Sequence, residues 1–187
     1  MSNSFLNVFP ECHIDTYFVM WLLQADKVNH QSSCNKVVGA MRQGRFSIGI
    51  VDYDKNKKKA YNRYWTLLMK GTEQNLNLLF FRHPREPHYL ITVNPAMDSF
   101  VLKCAKDLGV SPEAFGLPSS PDEFYKFTKD SEKTLKDIRF KRLFNSIQPH
   151  PSIITFKCVM QYLLTNEYNS SDKEIQEIIA SGMALMH

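Results

Sequence analysis

Apolar residues recur in two ways along this chain. Through about residue 110, short apolar runs alternate with amphipathic stretches, and beyond it they repeat at helical spacing alone. Residues 5–9 form a short apolar run closed by Pro10, which predicts a strand that delivers Glu11 at its C-terminal end. Ile14, Tyr17, Phe18 and Trp21 follow at i, i+3, i+4 and i+7, the stripe of a helix buried on one face. Residues 28–30 read as a second short strand. Ser32 or Ser33 then caps a helix carrying Val37, Val38 and Met41 and stopped by Gly44. Residues 46–51, almost all apolar or small, are the clearest strand and suit one covered on both faces. They run directly into Asp52-Tyr53-Asp54. Residues 76–81 and 89–93 read as two further strands joined by the turn His83-Pro84-Arg85-Glu86-Pro87. Asn94 and Pro95 open a helix with Phe100, Val101, Cys104 and Leu108 inside and Gly109 as its stop.

Strand, helix, strand, helix, strand in that order is a βαβαβ unit, for which right-handed crossovers make a parallel sheet the economical solution. The expected fold is therefore α/β: a mainly parallel sheet flanked by helices over residues 1–110, with a helical segment over 111–187 packed on it. In that segment Ser120-Pro121-Asp122-Glu123 has the form of a capping box ahead of Phe124 and Phe127. Leu135, Ile138, Leu143, Phe144 and Ile147 mark a second helix, broken at Pro149-His150-Pro151. Val159, Met160, Leu163 and Leu164 mark a third. Ser171 caps a last one carrying Ile175, Ile178 and Ile179 and closed by Gly182.

Composition narrows the class only a little. Lys and Arg number 23 against 19 Asp and Glu, a net +4 that permits an anionic partner without demanding one. With 43% hydrophobic residues and 13 Phe, a disordered chain is excluded. No run of about 18 apolar residues predicts a membrane span, and the first residues lack the basic start of a secretory signal, so a cytoplasmic protein is the expectation. Cys12, Cys34, Cys104 and Cys158 are then expected as reduced thiols.

The candidate chemistry lies where the predicted strands end. Ligand sites in parallel sheets form outside the carboxyl ends of strands, and Glu11, Asp52 and Asp54 all fall there. Carboxylates gathered at one edge repel one another unless a cation lies between them. Mg²⁺ is the natural one, because it takes hard oxygen ligands, usually one or two carboxylates plus waters and phosphates. Asp52 and Asp54 are the expected metal ligands, joined by Asp98 at a helix start; the bland alternatives are a solvated turn for the pair and helix-dipole complementarity for Asp98. Glu11, from another strand, is expected to move a proton, or else to complete the metal shell. Lys55, Lys57, Lys58 and Lys59 lie directly after the rim and, with Arg85, are the candidate nucleic-acid contacts; the segment around Tyr64 and Trp65 reads as a helix with its aromatics in the core. Cys12, His13, His30 and Cys34 are possible zinc ligands in type but lack the usual spacing. A Cys nucleophile has no visible orienter. A phosphatase built on Asp52 and Asp54 would lack its downstream partners.

These residues carry a family resemblance. Phe9-Pro10-Glu11 before an amphipathic helix, His30-Gln31-Ser32-Ser33-Cys34 opening a second helix, and Ile48-Gly49-Ile50-Val51-Asp52-Tyr53-Asp54 together resemble the TOPRIM domain of topoisomerases, primases and OLD-family nucleases. The likeness covers roughly residues 5–60 and extends to short bacterial proteins that carry little besides this unit. It implies a compact α/β fold in which Glu11 assists strand cleavage or joining while Asp52 and Asp54 bind Mg²⁺. The comparison with the OLD-family nucleases is closer than that with topoisomerases, and it gives Asp98 the place of a further carboxylate. The implied activity is that of a Mg²⁺-dependent nuclease, a hydrolase acting on nucleic acid, with room for a partner protein such as an ATPase. The alternative is a non-enzymatic module that binds nucleic acid or protein through a vestigial site. The chain departs from the family where Cys12-His13 and Ser32-Ser33 stand in place of glycine, so that a Cβ occupies the space of close backbone approach.

Overall fold

A computed structural model describes residues 4–43, 45–53, 65–70, 77–129 and 137–184 of the 187. In chain order the elements are β1 (Ser4–Phe5), β2 (Val8–Pro10), α1 (His13–Leu23), β3 (Lys27–Val28), α2 (Cys34–Met41), β4 (Ser47–Asp52), β5 (Thr66–Lys70), β6 (Leu78–Arg82), β7 (His88–Val93) and α3 (Met97–Asp107). A 3₁₀ turn, Pro112–Phe115, leads to α4 (Pro121–Thr128), α5 (Ile138–Ile147), α6 (Pro151–Asn166) and, after a second such turn, α7 (Asp172–Ala184). The chain is thus α/β, as its alternation predicts.

The main sheet has the order β2-β4-β7-β6-β5. The ladders β2 with β4 and β4 with β7 are parallel, whereas β7 with β6 and β6 with β5 are antiparallel, so the sheet is mixed. The reason lies in the connection: a turn as tight as residues 83–87 joins antiparallel neighbours, while parallel ones need a crossover. The first apolar run divides. Ser4 and Phe5 pair in parallel with Lys27 and Val28 in a separate two-stranded sheet, and only Val8–Pro10 joins β4. Tyr64 lies outside the described residues; Trp65 is buried just ahead of β5, so the chain after it runs on as a strand and not as a helix.

Period-two alternation sends the strand side chains to two apolar layers. Ile48, Ile50, Phe80, Tyr89, Ile91 and Val93 face α1 and the helices after β7, in one core that also holds Phe18, Phe100, Phe140, Phe144 and Phe156. Phe9, Val51, Leu79, Phe81 and Leu90 face the other way, onto Val37 and Met41 of α2. Residues on both sides of position 110 therefore share one core. At the far edge α7 lies against β5, where Gln176 Nε2 donates to Leu68 O at 2.8 Å and Arg82 pairs with Asp172 at 2.7 Å.

Helix α2 packs closely because β4 has a glycine at its centre. A Cβ on Gly49 would stand 2.5 Å from Met41 Sδ, 2.8 Å from Val37 Cγ1 and 2.9 Å from Leu90 Cδ1. The methionine can swing away, but the β-branched valine cannot. Gly49→Ala is therefore expected to destabilise the fold by about 1–3 kcal/mol through overpacking, seen as a lower midpoint in urea denaturation; an unchanged midpoint would contradict this packing.

Candidate functional site

Parallel pairing of β2 with β4 sets the site. Because Pro10 stands opposite Ile50, the residues just beyond each strand emerge side by side at the same sheet edge. Glu11 N donates to Ile50 O at 3.0 Å, and Asp52 N donates back to Glu11 Oε2 at 3.2 Å. Asp52 ends β4, and its Oδ1 accepts from Met97 N at 3.1 Å. A carboxylate from the neighbouring strand thus caps α3, where it also meets the positive end of the helix dipole. This explains why α3 begins at Met97 rather than at Asn94 and Pro95: the capping group comes from β4, and the Ala96 N-cap has no side chain to supply one.

A third carboxylate at this rim, Asp15, is absent from the sequence-based expectations. It lies in the first turn of α1 and is fully buried. Its Oδ2 accepts from Cys12 N at 3.2 Å, while its Oδ1 is buried without a hydrogen-bond partner. Burial, and then the charges of Asp52 and Glu11, hold its carboxyl well above the usual carboxylate range. The signal that could have found it is an acid on the apolar face of α1, with Phe18 at i+3, Val19 at i+4 and Leu22 at i+7 all buried.

Histidines adjoin the rim. The rings of His13 and His30 stack at 4.4 Å between centroids. Thr16 Oγ1 gives its hydrogen to Cys12 O at 2.7 Å, so it accepts from His30 Nδ1 at 2.9 Å. That assigns the proton of the neutral His30 ring to Nδ1 and leaves Nε2 basic. Burial, and then the facing His13, lower the pKa of His30 and favour this neutral form. The Cys12 thiol is pushed up, first by burial and then by the charge of Asp15, so it stays protonated and is a poor nucleophile. Cys34, buried at the start of α2, supports no nucleophilic role either.

Comparison with family models, with characterised proteins and with solved structures gives no match to this chain. The functional reading therefore rests on geometry.

The structure brings Glu11 and Asp52 together and separates other candidates from them. Asp98 is buried in the first turn of α3, where it accepts from Thr128 Oγ1 at 2.5 Å, and burial raises its pKa in spite of that bond. It is thus engaged with α4 instead of pointing to a partner at the rim. Arg85 is exposed in the turn before β7. Since Ser47 pairs with His88 and Asp52 with Val93, that turn lies at the other end of the sheet, five residues or roughly 16 Å from the carboxylates. Asp54, Lys55, Lys57, Lys58 and Lys59 lie outside the described residues. Among the described residues no three His, Cys, Asp or Glu side chains form a group that could hold a metal ion by themselves. Among them, too, no helix is long and apolar enough to cross a membrane.

Proposed function

We propose that this chain is a Mg²⁺-dependent phosphodiesterase of TOPRIM-like architecture that acts on nucleic acid, with Glu11, Asp15 and Asp52 as its acidic rim. The observation that carries the reading is Asp15 Oδ1, a buried carboxylate oxygen without a partner and under the field of two further carboxylates. Such an atom is costly unless a proton or a cation joins it. The donor set is all oxygen and suits a hard ion. Mg²⁺ fills most of its positions with water and substrate phosphate, so one or two carboxylates from the protein are enough to hold it.

Asp52 and Asp15 would hold the ion, with Asp54 as the next residue of the motif. When bound, it polarises a phosphoryl oxygen and acidifies water. The chain's own part is positioning and proton movement. Asp52 is fixed by the Met97 amide. Glu11, anchored through Oε2 on the Asp52 amide, is proposed to take or deliver a proton from the neighbouring strand. The lysines from Lys55 to Lys59 follow the rim directly in sequence and are proposed to meet the phosphate backbone.

One observation favours a second reading, a non-catalytic surface that binds nucleic acid or protein. Both Glu11 and Asp52 bond main-chain amides, a structural duty that needs no reaction. Calorimetric titration of Mg²⁺ into the intact chain, Asp52→Asn and Glu11→Gln, with cleavage assays on single- and double-stranded DNA and RNA, separates the two. Asp52→Asn is expected to weaken Mg²⁺ binding. Glu11→Gln is expected to keep it and to lose about 10²–10⁴-fold in cleavage rate. Equal Mg²⁺ binding by the intact chain and Asp52→Asn removes the metal site, and Mg²⁺ binding without cleavage of any substrate leaves the binding surface. A loss in Glu11→Gln as large as that in Asp52→Asn makes Glu11 a ligand.

A further inference from the structure

A groove of about 1010 Å³ runs between the C-terminal half of α1 and helices α5 and α6. None of Glu11, Asp15 and Asp52 is among its described lining residues, although Tyr17 at one end of it is only two residues along α1 from Asp15; Trp21 lies six residues from Asp15, on the order of 9 Å down the helix axis. Its volume is at the upper end of clefts that take small molecules, about 300–1,000 Å³.

Its lining combines a rigid aromatic surface with uncompensated positive charge. The Trp21 indole is held by its Nε1–H, which donates to Asn145 Oδ1 at 2.8 Å, and by ring contacts with Phe18 and Phe144 at 5.4 Å each. Ile154 of α6 also lines the groove and remains 37% exposed, although its neighbour Ile153 is buried. Lys141 and Lys157 enter from two different helices, and neither makes an ion pair with a described residue. Asp26 is the one carboxylate among the described residues of the lining.

We infer that this groove binds one small amphiphilic anion, with a flat apolar body against Trp21 and Ile154 and an acidic group met by Lys141 and Lys157. An indole already fixed by a hydrogen bond offers its face without further loss of side-chain freedom. An ammonium group without a partner gains most from an anion that arrives with an apolar body to exclude water. The inference does not depend on the carboxylate rim.

The probe is 8-anilinonaphthalene-1-sulfonate, an aromatic anion whose fluorescence is excited by energy transfer from tryptophan, titrated into the full chain. One saturable site is expected. The double variant Lys141→Gln/Lys157→Gln, altered only at surface positions of two helices, is expected to weaken it at least about tenfold with an unchanged far-ultraviolet circular dichroism spectrum. The uncharged N-phenyl-1-naphthylamine should bind the intact chain and the double variant alike, and Ile154→Glu should weaken both probes. Binding of the sulfonate that is not saturable, or that is unchanged in the lysine variant, overturns the proposal. So does sedimentation of the intact chain as a dimer that Ile154→Glu dissolves, because the groove would then be covered by a second copy.

Discussion

Asp15→Asn is expected to raise the stability of the metal-free protein. In the folded chain Asp15 is fully buried, one oxygen has no partner, and Asp52 and Glu11 oppose its charge. In the unfolded chain the same carboxylate is solvated. Asparagine keeps the shape and can still accept from the Cys12 amide; its own NH₂ inherits the partnerless position, so what the variant escapes is the cost of the buried charge, about 1–3 kcal/mol. For a chain of this size that is on the order of 2–4 °C in Tm per kcal/mol.

The pH dependence carries the sign. The folded pKa of Asp15 is raised above its unfolded value of 3.8, so its contribution is fully present below that value and is lost as pH rises through the folded pKa. The gap between variant and wild type should be small near pH 4 and widen toward neutrality. Urea denaturation in EDTA at several pH values measures it; a variant less stable than wild type at pH 7 would show that the carboxylate is satisfied in the fold. The outcome also bears on function, since a residue that costs the apo fold stability leaves a gain for a bound cation to collect, whereas a satisfied capping group does not.

The parts of this structure legible in the sequence are those whose signal is local. Residues 46–51 read as a doubly covered strand because nearly every side chain is apolar or small, and the strand is found at Ser47–Asp52, inside the sheet and parallel to β2. That pairing places Glu11 beside Asp52, an adjacency that follows from strand ends alone. What was not legible depends on partners distant in sequence. The run from Phe5 to Phe9 gives no hint that its first part pairs with Lys27–Val28 and its last part with β4. Asn94 and Pro95 look like a helix start, but the group that caps α3 is Asp52, 45 residues away. Asp15 was hidden because an acid in a first helical turn is ordinary helix-dipole chemistry, and only the packing of α1 into the core makes it a buried charge. Ser120 has the sequence of a capping box, yet its side chain forms no cap bond in the fold.

Phe18→Ala is expected to cost more than any other single truncation discussed, about 3–5 kcal/mol. Phe18 is fully buried on α1, with its ring 5.9 Å from Phe100, 5.2 Å from Phe144, 6.0 Å from Phe156 and 5.4 Å from Trp21. Phe100 belongs to α3, whereas Phe144 and Phe156 belong to the helices after residue 110, so one side chain joins the sheet-bearing half to the helical half. Removing it deletes transfer free energy and aromatic edge contacts and leaves a cavity that four rings cannot collapse to fill. Against a total stability of about 5–15 kcal/mol for an ordinary domain, the loss is a large fraction. Because the core is shared, the variant should still unfold in a single urea transition, with a lower midpoint and an unchanged slope. Two transitions, with the helical half melting away from the sheet, would show that the halves are separate cooperative units joined at Phe18. A cost under about 1 kcal/mol would mean that the surrounding rings repack into the vacated space.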